Sequence, residues 1–388
     1  MDERFANENI PRLILSLSAP AIAAQIINAL YNVVDRMYIG RIPVTGTMAL
    51  TGVGLTFPII MIISAFAALV GFGGAPLASI RMGAGKRAEA QRLLGNCFSM
   101  LVLLALVLTT LLLLFKTPLL RLFGASDDTL PYADSYLSVY LIGTISVQLA
   151  LGLNQFISAQ GFAKTAMATV CVGAALNIIL DPIFIMPWGF NMGAAGAGLA
   201  TFLSNCVACL YFLVLLYIKR RTTCICLNPK KFSFDRTIAA DIFGVGIPAA
   251  IQNLLNVTSM TVYNNSAAAY GSEVVAAMGI VQKIQMVPMQ VTLGAVQGIM
   301  PFVGYNFANH NYERMRKSIL YLLKRMILLM VVIVIAGSIF SGSLVGLFIK
   351  TDTVVHYGAA LLPGFLLALP FMCVDYMCVS VFQAIGDG

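Results

Sequence analysis

The chain has 388 residues, of which 59% are hydrophobic and only 10% are charged, and its formal net charge is +8. Soluble globular domains carry about 25% charged residues, so this composition excludes a soluble globular protein and indicates a chain that is surrounded by lipid. Loops that face anionic lipid headgroups account for the positive charge. We therefore predict the lipid bilayer as a partner and no nucleic-acid partner.

Ten apolar windows reach the length of about 20 residues that a helix needs to cross a bilayer. We number them spans 1 to 10, and they cover residues 14–39, 49–75, 93–115, 132–158, 165–187, 193–217, 239–268, 274–303, 319–341 and 355–383. The fold class that they predict is an all-α membrane protein. Pro20 lies inside span 1, where a proline removes a backbone hydrogen bond and bends the helix.

Most of the 24 Lys and Arg residues lie at the N-terminus and in the loops after even-numbered spans. Cytoplasmic loops hold the excess of basic residues, so the pattern predicts a multi-pass protein of the cell (plasma or inner) membrane with a cytoplasmic N-terminus. The first nine residues are mostly polar, and span 1 is too long for the apolar core of a signal peptide. We therefore expect span 1 to remain as the first helix.

The chain repeats itself weakly at an offset of about 225 to 228 residues. Pro20-Ala21 followed by Gln25 recurs as Pro248-Ala249 followed by Gln252, and Phe156 to Gly161 recurs as Phe382 to Gly386. Six spans precede the polar stretch between the copies, so the repeats are parallel. We predict an N-terminal lobe at 1–218, a cytoplasmic linker at 219–236 and a C-terminal lobe at 237–388. Such duplication is typical of secondary transporters.

Three acids lie well inside the spans, namely Asp35, Asp181 and Asp375. An ionisable residue inside a membrane is costly and is a functional hypothesis by default. Asn177 precedes Asp181 by four residues, so both side chains share one helix face. Two carboxylates, an amide oxygen and a hydroxyl such as that of Thr201 would form an oxygen-rich pocket for a hard cation such as Na⁺, or the carboxylates would bind and release a proton.

Each of these residues also has a structural explanation. Asp35 could pair with the adjacent Arg36 near the end of span 1, and the polar pair in span 5 could form an interhelical hydrogen bond. Asp375 could be a second site or a packing contact. Lys283 is the only basic residue deep in the second copy, and it could pair with an acid across the lobe interface.

Other polar features favour structural roles. The eight cysteines are scattered over apolar segments, and His310 and His356 lack metal-ligand spacing. No nucleophile with a base and no cofactor motif occurs within the spans, so we predict a protein that is not an enzyme and needs no cofactor. Gly294 and Gly298 form a small-xxx-small pair, which predicts close helix packing.

Several short motifs keep a constant order along the whole chain. They are Asn32 to Gly40 in span 1, Gly83 to Lys86 after span 2, Asn177 with Asp181-Pro182 in span 5, Gly193 to Thr201 at the start of span 6, and Pro301 to Asn306 at the end of span 8. Together with the repeat, this order and spacing resemble the multidrug and toxic compound extrusion (MATE) family of transporters, in its prokaryotic type.

The resemblance implies a two-lobed antiporter of twelve helices that exports cationic amphiphilic compounds in exchange for H⁺ or Na⁺. The residues that match the cation-coupling site of this branch are Asp35, Asn177, Asp181 and Thr201, with Ala197 offering a backbone carbonyl. Pro20 matches the proline at which the first helix bends. Asp375 matches an acid of another branch, but that branch also uses a glutamate in span 7, where this chain has no acid between Gly246 and Gly271.

Proximity to Asp35 makes Gln25, Tyr31 and Tyr38 candidates for substrate contact, beside Asp375 and Lys283. The predicted partners are small cationic amphiphiles, and we predict a monomer. Only ten of the family's twelve helices are present, so we expect a partial sequence or a shortened chain, whose own transport activity is open.

Two alternative functions stay open at this point. A lipid or polysaccharide-precursor flippase of the same superfamily would share the repeat, and a strongly basic central cavity would favour it. A membrane-embedded enzyme is disfavoured, because the spans lack a catalytic motif.

Overall fold

The structure is a computed structural model that describes residues 5, 7–218, 235–349 and 351–387. Within these residues the chain is helical and contains no β-strand, which confirms the predicted all-α class. We number the helices α1 (Ile10–Gly40), α2 (Gly46–Leu55), α3 (Phe57–Gly83), α4 (Arg87–Leu122), α5 (Leu130–Ile142), α6 (Thr144–Ala159), α7 (Ala163–Ile185), α8 (Gly193–Ile218), α9 (Arg236–Ala268), α10 (Ser272–Ala308), α11 (Tyr312–Ile339), α12 (Ser341–Gly346), α13 (Asp352–Leu367) and α14 (Leu369–Ile385).

The helices reproduce the predicted spans, and three spans are each built from two helices. Span 2 is α2 with α3, span 4 is α5 with α6, and span 10 is α13 with α14. Among the described residues, eight segments are long and apolar enough to cross a membrane, and α5 with α6, bent by 59°, make a ninth. Span 7 is the 33-residue helix α9, which is long enough to cross a membrane.

Three apolar clusters hold the helices together. One joins α3, α4, α6 and α8, a second joins α10, α11, α13 and α14, and a third lies around α2, α4 and α5. The start of α1 belongs to the second cluster through Leu13 and Leu17. The start of α9 belongs to the first through Ile238 and Ile242. Each half of the chain therefore sends its first helix onto the other half.

Glycines bring these crossing helices into backbone contact. A Cβ on Gly246 of α9 would lie 2.1 Å from the carbonyl oxygen of Leu69 in α3, and one on Gly73 would lie 2.3 Å from that of Ile242. Only glycine permits such an approach, because any larger side chain would overlap the backbone of the neighbouring helix.

The same kind of contact joins α1 to α10. A Cβ on Gly294 would lie 2.5 Å from Cα of Ile22, and one on Gly298 would lie 2.6 Å from Cα of Ser18. The prediction that these two glycines mark close helix packing is therefore confirmed. We call the region formed by the first halves of α1 and α9 and the second halves of α3 and α10 the closed end of the molecule.

Polar contacts add to the closed end. Arg81 of α3 forms an ion pair of 3.3 Å with Asp241 of α9. The backbone N–H of Asp235 donates to Oδ1 of Asn96 at 2.6 Å, while the Asp235 carboxylate accepts from the Thr237 N–H at 3.0 Å and caps α9. These hydrogen bonds from Thr237 lower the pKa of Asp235.

The predicted linker at 219–236 lies outside the described residues up to position 234. Its basic residues Lys219, Arg220, Arg221, Lys230 and Lys231 are therefore not placed. The boundaries of the two lobes stay a prediction.

Two glycines of α9 provide a matched pair of variants that tests the closed end. A Cβ at Gly246 would meet the Leu69 carbonyl, whereas a Cβ at Gly244 has no atom within 4 Å. Overpacking costs about 1–3 kcal/mol, so Gly246→Ala should lower the melting temperature of the purified protein. Gly244→Ala should raise it slightly, since replacing a helical glycine by alanine gains about 0.5–1 kcal/mol. Equal melting temperatures for the two variants would show that α3 and α9 do not pack this closely.

Candidate functional site

Asp35 lies in the second half of α1, directly before the charged residue Arg36. Its side chain is buried, with 9% exposure, whereas the Arg36 guanidinium lies 5.7 Å above the ring of Phe57. The carboxyl group of Asp35 instead contacts that of Asp181 on α7. The structure thus brings together two acids that are 146 positions apart in the sequence, and the Asp35–Arg36 pair considered from sequence is not the arrangement that forms.

Asn177 connects the acid on α7 to α8. Its Nδ2 lies 3.4 Å from Oδ1 of Asp181 and 3.4 Å from Oγ1 of Thr201. The exposed fractions of Asn177, Asp181 and Thr201 are 2%, 0% and 8%. The i, i+4 spacing on α7 accounts for the first contact, and the packing of α8 supplies the second.

The turn between α7 and α8 sets the register that places Thr201 opposite Asn177. The backbone N–H groups of Phe190 and Met192 donate to the carbonyls of Ile183 and Phe184 at 2.8 and 2.9 Å. Gly196 packs so tightly that a Cβ there would lie 2.6 Å from the Phe184 oxygen. The turn therefore folds α8 directly back on α7.

Ala197 lies one turn before Thr201 on α8 and is fully buried, with 0% exposure. This places the residue predicted to offer a backbone carbonyl on the stretch of α8 that packs beside the two acids.

Three oxygens of the site are buried and receive no hydrogen bond from the described residues. They are Oδ1 of Asp35, Oδ1 of Asn177 and Oδ2 of Asp181. Buried polar atoms without partners are costly, and unpaired oxygens of this kind are the ligands that hard cations take. The geometry therefore suits a proton shared between the carboxyl groups or a small cation held by them.

Sequence reasoning missed the aromatic wall of the site. The side chain of Tyr136 on α5 lies next to that of Thr201, and its ring stacks with that of Tyr140 at a centroid distance of 6.1 Å. Both tyrosines are buried. Their i, i+4 spacing in span 4 was a visible signal, because it places two phenolic groups on one helix face.

A cavity of about 190 Å³ lies beside the acids between α1, α6, α7, α8 and α10. Of the candidates for substrate contact, Gln25 and Tyr31 line it, and Gln25 Nε2 donates to Oε1 of Gln297 on α10 at 2.8 Å. Further polar side chains line this cavity that the sequence alone did not single out: Asn28, Asn154, Gln155, Ser158, Ser204, Asn205 and Gln297.

The remaining candidates lie elsewhere. Tyr38 packs against the third apolar cluster, near α2. Lys283 on α10 and Asp375 on α14 are exposed on the surface of the second half, so neither joins the site on α1, α7 and α8. Pro20 is buried within α1, which continues as one helix from Ile10 to Gly40.

Comparisons with known proteins agree with this architecture. The family model described as MatE matches residues 20–183 and 248–388. The multidrug export protein MepA of Staphylococcus haemolyticus (strain JCSC1435) is 26% identical over 388 residues, which are 99% of this chain and 83% of that relative.

Solved structures share the fold over the whole chain. One described as the outward-facing conformation of a multidrug resistance MATE family transporter of the MOP superfamily has a TM-score of 0.91 and 27% identity, and the match covers 99% of this chain and 85% of that one. A MOP superfamily transporter from Pyrococcus furiosus, whose reverse binding-pocket polarity is described as suggesting a different function, has a TM-score of 0.89 and 26% identity, with coverages of 99% and 85%.

The fold and the polar site buried among its spans define a multi-pass membrane transporter. The chain belongs to the MatE family, because the family model matches well over half of its residues. The resemblance drawn from the motifs is confirmed.

Replacing Asn177 by leucine, which has nearly the same shape, tests the centre of the site. Asn177→Leu removes the amide that donates to Asp181 and Thr201, and leaving buried acceptors without a donor costs about 1–3 kcal/mol. We expect a lower melting temperature for purified Asn177→Leu. The matched control is Asn32→Leu at an exposed asparagine of α1, which should change it little. A decrease in melting temperature no larger than that of Asn32→Leu would show that Asn177 does not bridge Asp181 and Thr201.

Proposed function

We propose that the protein is a secondary active antiporter that exports cationic amphiphilic drugs or toxic compounds in exchange for H⁺ or Na⁺. The observation that carries the proposal is the contact between Asp35 and Asp181, two buried carboxyl groups with unpaired oxygens beside a polar cavity. Relatives named as multidrug export proteins support the export of drugs.

The proposed cation site and the cavity share side chains, so cation binding and drug binding can affect each other directly. Tyr31, Asn177 and Thr201 line the cavity, and Asn177 and Thr201 also contact the acids or each other. A cation that binds Asp35 and Asp181 would draw these groups toward itself and change the cavity that holds the drug. Coupling of this kind needs only that each ligand bind two conformations with different affinity.

The closed end supports an alternating-access cycle. The backbone contacts of Gly73, Gly246, Gly294 and Gly298 hold the two halves together at one end. With the N-terminus in the cytoplasm, as the basic loops predict, the closed end faces inward and the conformation is outward-facing. Cation entry from outside would then weaken drug binding, and inward opening would release the cation and reload the drug.

The chemistry of the cavity fits cationic amphiphiles. Amide and hydroxyl side chains line the cavity together with Tyr31, whose ring face attracts cations, and the adjacent carboxylates attract positive charge. We propose a monomer in the cell inner membrane, with lobes at 1–218 and 237–388 joined by the linker at 219–236.

Ethidium efflux measures the proposed function directly. We expect proteoliposomes with the wild-type protein to export ethidium under one gradient, Na⁺ or H⁺, which identifies the coupling ion. Asp35→Asn and Asp181→Asn should each reduce efflux by at least about fivefold, the lower end of ordinary coupling between sites.

The control for this experiment is Asp375→Asn, which removes an exposed acid from α14 and should leave efflux unchanged. Full efflux by both site variants at normal expression would reduce the two carboxyl groups to a structural role. If the wild type exports no ethidium but moves a fluorescent lipid between leaflets, the flippase alternative replaces the proposal.

Cation binding has a readout that does not require transport. If the site binds Na⁺, a hundredfold excess over Kd stabilises the folded protein by about 2.7 kcal/mol, so the melting temperature should rise with NaCl relative to choline chloride. Asp181→Asn should abolish this rise, and Asp375→Asn should retain it. A rise that survives in Asp181→Asn places the bound cation elsewhere.

A further inference from the structure

The residue Phe5, ahead of α1, is buried in the other half of the molecule. Its side chain has 3% exposure and belongs to the apolar cluster of α10, α11, α13 and α14. The ring meets those of Phe302 and Tyr305 at the end of α10 edge-on, at centroid distances of 5.8 and 5.4 Å. A large aromatic side chain from the start of the chain thus fills a pocket of the second half.

Arg314, in the first turn of α11, holds the same segment by its backbone. Its Nε donates to the Phe5 carbonyl at 2.9 Å, and its NH2 group donates to the carbonyl of Glu8. The guanidinium also lies 5.6 Å above the ring of Phe302. One arginine therefore links the segment before α1 with the aromatic pocket that receives Phe5.

The segment that contains Phe5 directly precedes α1, so its contacts with the second half lie beside those of α1 itself. Leu13 and Leu17 of α1 pack on the second half, Ser18 Oγ donates to the Ala295 carbonyl of α10 at 3.1 Å, and Asp35 lies further along the same helix. If the segment before α1 moves with α1 when it separates from α10, Phe5 leaves its pocket and both hydrogen bonds of Arg314 break.

We propose that Phe5 and the Glu8 carbonyl, held by Phe302, Tyr305 and Arg314, form a latch that keeps the closed end shut and sets how often the two halves separate there. This inference rests on the proposed alternating-access function, to which it adds a regulatory contact about 30 residues before the cation site. The latch acts on the conformational equilibrium and takes no part in binding the cation or the drug.

A buried cysteine reports the separation of α1 from α10. Ser18 has 4% exposure in the closed state, so a Ser18→Cys reporter reacts with a water-soluble maleimide only when the closed end opens. The reporter is placed in a background in which the eight native cysteines are replaced, and the labelling rate is measured in lipid nanodiscs without substrate.

We expect Phe5→Ala and Arg314→Gln each to raise the labelling rate by about tenfold, because the loss of a buried side chain or of two charge-assisted hydrogen bonds shifts an equilibrium by at least that factor. The double variant should raise the labelling rate by less than the product of the two single effects, since the Phe5 ring and the Arg314 hydrogen bonds hold the same segment.

The matched control is Arg12→Ala. This substitution removes a charge from the first turn of α1, but the Arg12 side chain is 86% exposed, and its one ion pair with the described residues is to Glu8, at 4.0 Å. The Arg12→Ala protein should label at the rate of the parent protein, which carries only the Ser18→Cys reporter and the replaced cysteines. Labelling that stays at the parent rate in Phe5→Ala and Arg314→Gln, or that rises equally in Arg12→Ala, overturns the latch.

Ethidium efflux of the same proteins separates this inference from the proposed function. Parent protein that exports ethidium while the latch variants label at the parent rate overturns the latch alone. Parent protein without ion-driven efflux overturns the proposed function, and the labelling rates then still decide whether Phe5 holds the closed end. The melting temperature of each variant shows whether that variant is folded. If Phe5→Ala is unfolded, Phe5→Leu replaces it, because leucine keeps an apolar side chain without the ring contacts.

Discussion

The contact between Asp35 and Asp181 is the constraint on which the rest of the site depends. Two carboxyl groups buried among membrane spans are tolerated only if protons, cations or hydrogen-bond donors offset their charge. The described residues supply Asn177 as a donor but leave an oxygen of each acid unpaired. These unpaired oxygens therefore favour the presence of a proton or a cation at the boundary between α1 and α7.

The position of these unpaired oxygens supports the proposed coupling between a small ion and a larger ligand. Asn177, which contacts Asp181, lines the cavity together with Thr201. Gln25 of α1 donates a hydrogen bond to Gln297 of α10 in the second half. The two acids, the cavity and the contact of α1 with α10 are thus connected through the helix α1. The first half of α1 belongs to the closed end, and its second half carries Asp35.

The closed end holds because apolar packing, glycine contacts and a few charges act together. Helices in lipid gain little from hydrophobic association, so close van der Waals contact and interhelical hydrogen bonds decide their pairing. The reciprocal contacts of Gly73 and Gly246, the Arg81–Asp241 ion pair and the buried Phe5 all lie in this region. An interface made of many modest contacts can open and close, which a single large apolar core could not do without a prohibitive cost.

The sequence by itself determined the membrane class, the all-α fold, the ten helical spans and the i, i+4 pairing of Asn177 with Asp181, because composition and periodicity are local properties of the chain. It also located the acids, since charge is rare in apolar spans. Only the tertiary structure decided that Asp35 faces Asp181 and not Arg36, that Tyr136 adjoins Thr201, and that Lys283 and Asp375 lie apart from the site. These outcomes depend on the rotation of each helix about its axis and on the turn between α7 and α8, which are set by packing with helices distant in sequence.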